Sequence, residues 1–190
     1  VGNAVTHGVA AILCLLFLPF SAVYSYCIAD AWRSFGVSVF IICLFLMFLI
    51  STIYHSMAYD SEQKYVFRKL DHICILLAIA GSYTPIAITL VKGWQAVILL
   101  IIEWTMVIAG ILLKSISKRS YPILSMTIYM VMGWTAIFFL PKLLSVASPL
   151  FLTLIVLGGV LYTIGAFFYA KPQHRYFHMI WHIFIMLASI

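Results

Sequence analysis

A bundle of seven membrane-spanning helices is the all-α fold this sequence predicts, and three observations carry the prediction. Mean hydropathy is +1.15 with only 8% of residues charged, whereas a water-soluble domain has roughly a quarter of its residues charged. The apolar runs are about 20 residues long, enough to cross roughly 30 Å of hydrocarbon at about 1.5 Å per residue. Each run ends in charge, glycine or proline, as expected of turns at a membrane surface. Backbone groups in hydrocarbon must be satisfied within the segment, and barrel strands need only about 9–11 residues, so these runs read as helices.

The first span, 4–28, lacks a basic leading region and a small-residue cleavage site, and reads as a retained helix rather than a signal peptide. DAWRSFG leads to the second span, 36–58, and AYDSEQKYVFRK to the third, 71–91. VKG precedes 94–113, KSISKRSYP precedes 121–140, PK precedes 149–170, and AKPQHR leads into 174–190. The spans take up almost the whole chain and leave no linker, low-complexity tract or soluble domain. Residues 1–190 therefore read as a single transmembrane domain.

Orientation follows from lysine and arginine in the short loops. The even-numbered loops hold Lys64, Arg68, Lys69, Lys114, Lys118, Arg119, Lys171 and Arg175, eight of the eleven basic residues, against Arg33, Lys92 and Lys142 in the odd ones. That bias predicts a cytoplasmic N-terminus and, with seven helices, a C-terminus outside. It also accounts for the net charge of +6, so no nucleic-acid partner is expected. Cys14, Cys27, Cys43 and Cys74 sit in apolar spans without CxxC spacing and read as small buried hydrophobes.

Against this background the histidines stand out. In HRYFHMIWHIF, His174, His178 and His182 recur every fourth residue, and four residues turn a helix by about 400°, so neighbouring rings share a face. The second span ends in STIYHSMAYD, with Ser51 and His55 again four apart, and the third begins with Asp71 and His72. Three distant segments thus bring polar groups to one membrane depth. Ionisable groups in hydrocarbon cost roughly 2.5–3.5 kcal/mol on insertion scales and normally face the bundle interior with a partner or a task. Three imidazoles are a zinc-ligand set that leaves a fourth tetrahedral position open. His55, His178 and His182 are the expected ligands, with Asp71 holding a water at the open position and Ser51 orienting that water or a substrate carbonyl.

Other roles fit the same residues. Asp71 also suits an N-cap of the third helix or a partner for Arg68 or Lys69. His72 reads as interfacial and His174 as solvated. His7 suits either packing with Asn3 or a place just outside the metal ligands.

SxxxH closing the second helix, KLDH and GSYTP in the third, and HMIWH opening the seventh resemble the hemolysin III family. That family is the bacterial branch of the progestin and adipoQ receptors, which include the adiponectin receptors. NxxTHG in the first helix is similar to the same branch. The resemblance covers essentially the whole chain. It implies seven helices, a cytoplasmic N-terminus, and zinc on His55, His178 and His182 near the cytoplasmic face. It also implies a water-bridging role for Asp71 and a nearby role for Ser51. The acidic residue that members usually carry just upstream of NxxTHG is not visible here, where only Val1 and Gly2 precede Asn3. The receptor branch resembles ceramide hydrolases, so one implied activity is zinc-dependent hydrolysis of a lipid amide or ester, with membrane lipid as substrate and Asp71 taking the proton. Two alternatives are a membrane-permeabilising hemolysin and a receptor-like or homeostatic protein with structural zinc. A lytic toxin needs a soluble form before insertion, and uniformly apolar spans argue against direct lysis. Without long tails, the expected location is a bacterial inner membrane.

Overall fold

A computed structural model describes residues 2–59, 61–116, 122–171, 173–174 and 176–189. Every regular element among them is helical. Helix α1 (Gly2–Ile28) is followed by α2 (Ala31–Ser56), α3 (Glu62–Ile86, extended by a π-turn over Ala87–Val91) and α4 (Gly93–Ile116). Then come α5 (Pro122–Gly133), a 3₁₀ turn (Thr135–Phe139), α6 (Leu140–Val146), α7 (Pro149–Tyr169) and α8 (Phe177–Ser189).

Two helices begin earlier than the hydropathy pattern predicts, because polar side chains cap them before the apolar run starts. The Asp30 carboxylate accepts the Arg33 amide at 2.8 Å and starts α2 inside the expected DAWRSFG loop. The Ser61 hydroxyl accepts the Lys64 amide at 3.2 Å, so α3 begins at Glu62, nine residues before the expected 71. Asp71 is therefore interior to α3 and is not its N-cap.

The later spans also differ from uniform helices. Pro85 has no N–H and crowds the preceding turn; beyond it α3 widens, with the Lys92 amide reaching back five residues to the Ala87 carbonyl at 2.9 Å. The reversal into α4 passes through positive φ at Lys92 (55°) and Gly93 (61°). The expected 121–140 span is broken after Gly133, where the Tyr83 hydroxyl of α3 enters the helix ladder. It donates to the Gly133 carbonyl at 2.8 Å and accepts the Ala136 amide at 3.0 Å, filling the place of a direct bond between them. The expected PK turn is instead the first turn of α6, where proline gives up no helical hydrogen bond. The chain reverses at Ala147–Ser148, and the Ser148 hydroxyl caps α7.

Among the described residues, six helical segments are long and apolar enough to cross a membrane, counting Pro122–Val146 as one, and Phe177–Ser189 is a shorter apolar helix. Successive helices pack together, α1 on α2, α2 on α3, α3 on α4, α7 on α8, and α1 closes against α8. Helix α3 is the most enclosed and also touches α5. Close approach to α2 needs glycine: a Cβ at Gly36 would lie 2.9 Å from the Pro85 backbone, and one at Gly81 would lie 2.7 Å from the Cys43 Cβ. The buried apolar side chains form two clusters. One contains Leu44, Phe48, Leu76, Val107 and Trp181, and the other Tyr83, Val91, Leu99 and Leu143. Outward-facing residues are apolar too, as along α7 at Leu150, Leu154, Val156 and Ile164. Such a surface belongs in lipid, and the molecule is an integral membrane protein. Cys43 and Cys74 are buried as expected, while Cys14 is half-buried and Cys27 is exposed on the outer surface of α1; all four are free thiols.

Candidate metal centre

His55 lies in the last turn of α2, and His178 and His182 occupy the first two turns of α8. Helical spacing puts the last two on one face, and α1, which contacts both α2 and α8, brings that face to His55. Their Nε2 atoms converge: His178 to His55 is 3.3 Å and His182 to His178 is 3.1 Å. Each residue offers one ligand atom to a group spanning no more than 4.8 Å, and together they could hold a metal ion. For zinc–nitrogen bonds of about 2.05 Å, a tetrahedron has edges of roughly 3.3 Å. Two of the three nitrogen separations match that edge, a spacing at which the three histidines could hold one such metal ion.

Burial around the rings points the same way. His182 is 0% exposed and His7 3%, and their rings are 3.8 Å apart. His182 Nδ1 and both nitrogens of His7 have no hydrogen-bond partner among the described residues. Buried polar atoms are normally paired, and three orphaned ring nitrogens beside a metal-sized gathering of imidazoles mark a place built for a polar group. His7 packs on His182 and against Phe48 at 5.0 Å, which puts it at the edge of the histidine group.

Asp71 is buried on α3 and is not one of the grouped donors. The buried Ser51 hydroxyl, one turn before His55 on α2, approaches its carboxylate. Ser51 therefore ties Asp71 to the turn of α2 next to the one that carries His55. His72 turns away: its Nδ1–H donates to the Arg68 carbonyl at 2.6 Å, which leaves Nε2 to accept the Tyr169 hydroxyl at 3.1 Å. The Tyr129 hydroxyl donates to the His72 carbonyl at 2.9 Å. His174 is exposed against Phe177, outside the group.

Sequence reading did not find the aromatic wall of the site. Tyr169, at the end of α7, lies 4.7 Å from Trp181 and 6.1 Å from His178, and Tyr54 lies 4.7 Å from His55. The available signal was a tyrosine in the last turn of a span, where its hydroxyl can reach a neighbouring helix.

Helices embedded in lipid, with three histidines from the second and last of them gathered between their ends, define a class: integral membrane proteins with a candidate metal centre inside the bundle. Within that class, this chain belongs to the haemolysin-III related family, which it matches over residues 1–190. It is 32% identical to the Hemolysin-3 homolog of Bacillus subtilis (strain 168) over 189 residues, all of this chain and 88% of the relative. It is 33% identical to Hemolysin-3 of Bacillus cereus, again over all of this chain and 86% of the relative. Human Monocyte to macrophage differentiation factor is more distant, 23% identical over 165 residues, 84% of this chain and 68% of the relative.

Proposed function

We propose that the protein is a zinc-dependent hydrolase of a lipid amide or ester, working inside the membrane near its cytoplasmic face. The observation that carries this reading is the convergence of the His55, His178 and His182 Nε2 atoms at 3.3 and 3.1 Å. A zinc ion held there would supply a Lewis acid and lower the pKa of water to about 7. His55, His178 and His182 would hold the ion. Asp71 takes the proton from the attacking water and returns it to the departing amine or alcohol as the acyl C–N or C–O bond breaks, and Ser51 orients the carboxylate through its hydroxyl. Trp181, Tyr169 and Phe48 enclose the rings and keep bulk water away. A substrate reaches such a site from the bilayer, so membrane lipid is the chemical class it would take. The cytoplasmic placement rests on the eight-to-three distribution of basic residues between alternate loops, and a bacterial inner membrane is the location that goes with it.

A structural zinc uses the same three ligands but has no use for a proton acceptor beside them. Asp71→Asn separates the two readings. The variant keeps its zinc and fold and loses about 10²- to 10⁴-fold in fatty-acid release from an amide- or ester-linked lipid, the usual contribution of a general base. Equal rates for Asp71→Asn and wild type, or no zinc-dependent release from ceramide, phospholipid or acylglycerol, would leave the receptor-like or permeabilising readings in its place.

A further inference from the structure

The interior face of α4 runs through Ala96, Leu99, Glu103, Val107 and Gly110, all buried. Four of these five are apolar or glycine. The fifth, Glu103, is 0% exposed, and neither of its carboxylate oxygens has a hydrogen-bond partner among the described residues. It stands between the two apolar clusters, with Leu99 one turn away in one and Val107 one turn away in the other. Lys92 and Lys114 are each eleven residues distant, roughly 16 Å along the helix axis. A carboxylate in mid-membrane normally faces a partner or a transported ion.

Two hydroxyls lie near it in these otherwise apolar surroundings. The Thr135 hydroxyl adjoins the carboxylate, yet it is also placed to donate its one proton to the Val131 carbonyl at 3.0 Å. The Tyr83 phenol is near enough to be influenced by the Glu103 charge; its proton goes to the Gly133 carbonyl and its oxygen also accepts the Ala136 amide. With both hydroxyl protons given to backbone carbonyls, neither is left over for a Glu103 carboxylate. The fifth span is broken at this level, and interrupted helices with displaced backbone groups are the usual setting of monovalent-cation sites in membrane proteins. One carboxylate among neutral oxygens offers a single negative charge; divalent ions usually take several charged ligands.

We propose that Glu103, with Thr135 and Tyr83, forms a binding site for a monovalent cation, sodium in the first instance, at the centre of the bundle. The site is separate from the histidine group: Asp71 and Thr84, on the same helix α3, are thirteen residues and so roughly 20 Å apart, and Thr84 accepts the indole N–H of Trp104, the neighbour of Glu103.

The test is thermal unfolding of purified protein in detergent at constant ionic strength, with sodium chloride replaced stepwise by choline chloride. Sodium raises the wild-type midpoint by about 5 °C, as expected for a site of millimolar affinity in a chain of this length. Glu103→Gln removes the response, Thr135→Val raises the sodium concentration for half the effect about tenfold, and Asp71→Asn responds like wild type. If Glu103→Gln does not fold, Thr135→Val carries the test. Equal wild-type midpoints in sodium and choline would overturn the proposal and leave a carboxyl that holds only a proton. A sodium response that survives in Glu103→Gln, or is unchanged in Thr135→Val, would overturn it as well.

Discussion

Both short nitrogen–nitrogen separations in the histidine group run through His178, so this ring is the one whose loss should open the site most completely. Structural zinc sites of four ligands bind with about 10–16 kcal/mol at neutral pH, which apportions to roughly 3 kcal/mol per ligand, or more than about 10²-fold in affinity. Zinc bound at nanomolar affinity by wild type would then be held by His178→Ala only in the sub-micromolar range or weaker, and dialysis against a mild chelator should remove it. His178 is half-buried whereas His182 is fully enclosed, so its truncation leaves the smaller cavity and the cleaner comparison. The assay is elemental analysis after dialysis: about one zinc per chain in wild type and in His174→Ala, and less than about a tenth in His178→Ala. His178→Gln, which keeps most of the side-chain volume, should also lose the metal and so separates ligand loss from packing. Zinc retained by His178→Ala and lost from His174→Ala would place the clamp one turn earlier and refute the assignment.

Three further outcomes are expected. Asp71→Asn should retain zinc while losing about 10²- to 10⁴-fold in lipid hydrolysis, read as fatty-acid release. A reporter fused after Arg119 should be active as a cytoplasmic marker and one fused after Lys142 as an external marker; the opposite pattern would move the histidine group to the outer face. Gly36→Ala should lower the melting midpoint by several degrees, because its Cβ meets backbone at 2.9 Å, while Gly159→Ala, with nothing within 4 Å of its Cβ, should not lower it.

The helical bundle was legible because lipid imposes one rule on every span: about 20 apolar residues, bounded by charge or turn residues. Boundaries were less legible where a polar cap lay outside the apolar run, as at Asp30 and Ser61, since hydropathy does not register a capping hydrogen bond. The gathering of His55, His178 and His182 was visible from helical spacing and matching depth. The residues around them were not. Tyr169 and Trp181 look like any interfacial aromatics until α7 and α8 are seen side by side. Glu103, an acidic residue in the middle of the 94–113 span, drew no expectation, although an ionisable group at that depth is a signal the sequence carries; the structure adds which face of α4 is enclosed.

The Tyr83 hydroxyl between Gly133 and Ala136 has a consequence for how the chain assembles. Within residues 122–146, Pro141 already disfavours one continuous helix, because its ring would crowd the Ile137 carbonyl and it has no N–H to give. What it does not fix is the backbone geometry between Gly133 and Ala136, which the Tyr83 hydroxyl holds from some fifty residues earlier, in α3. On its own in a bilayer, a peptide of residues 122–146 should bend near Pro141 over a range of angles and settle into one shape only when α3 is beside it. Docking of α3 therefore precedes the final shape of the fifth span.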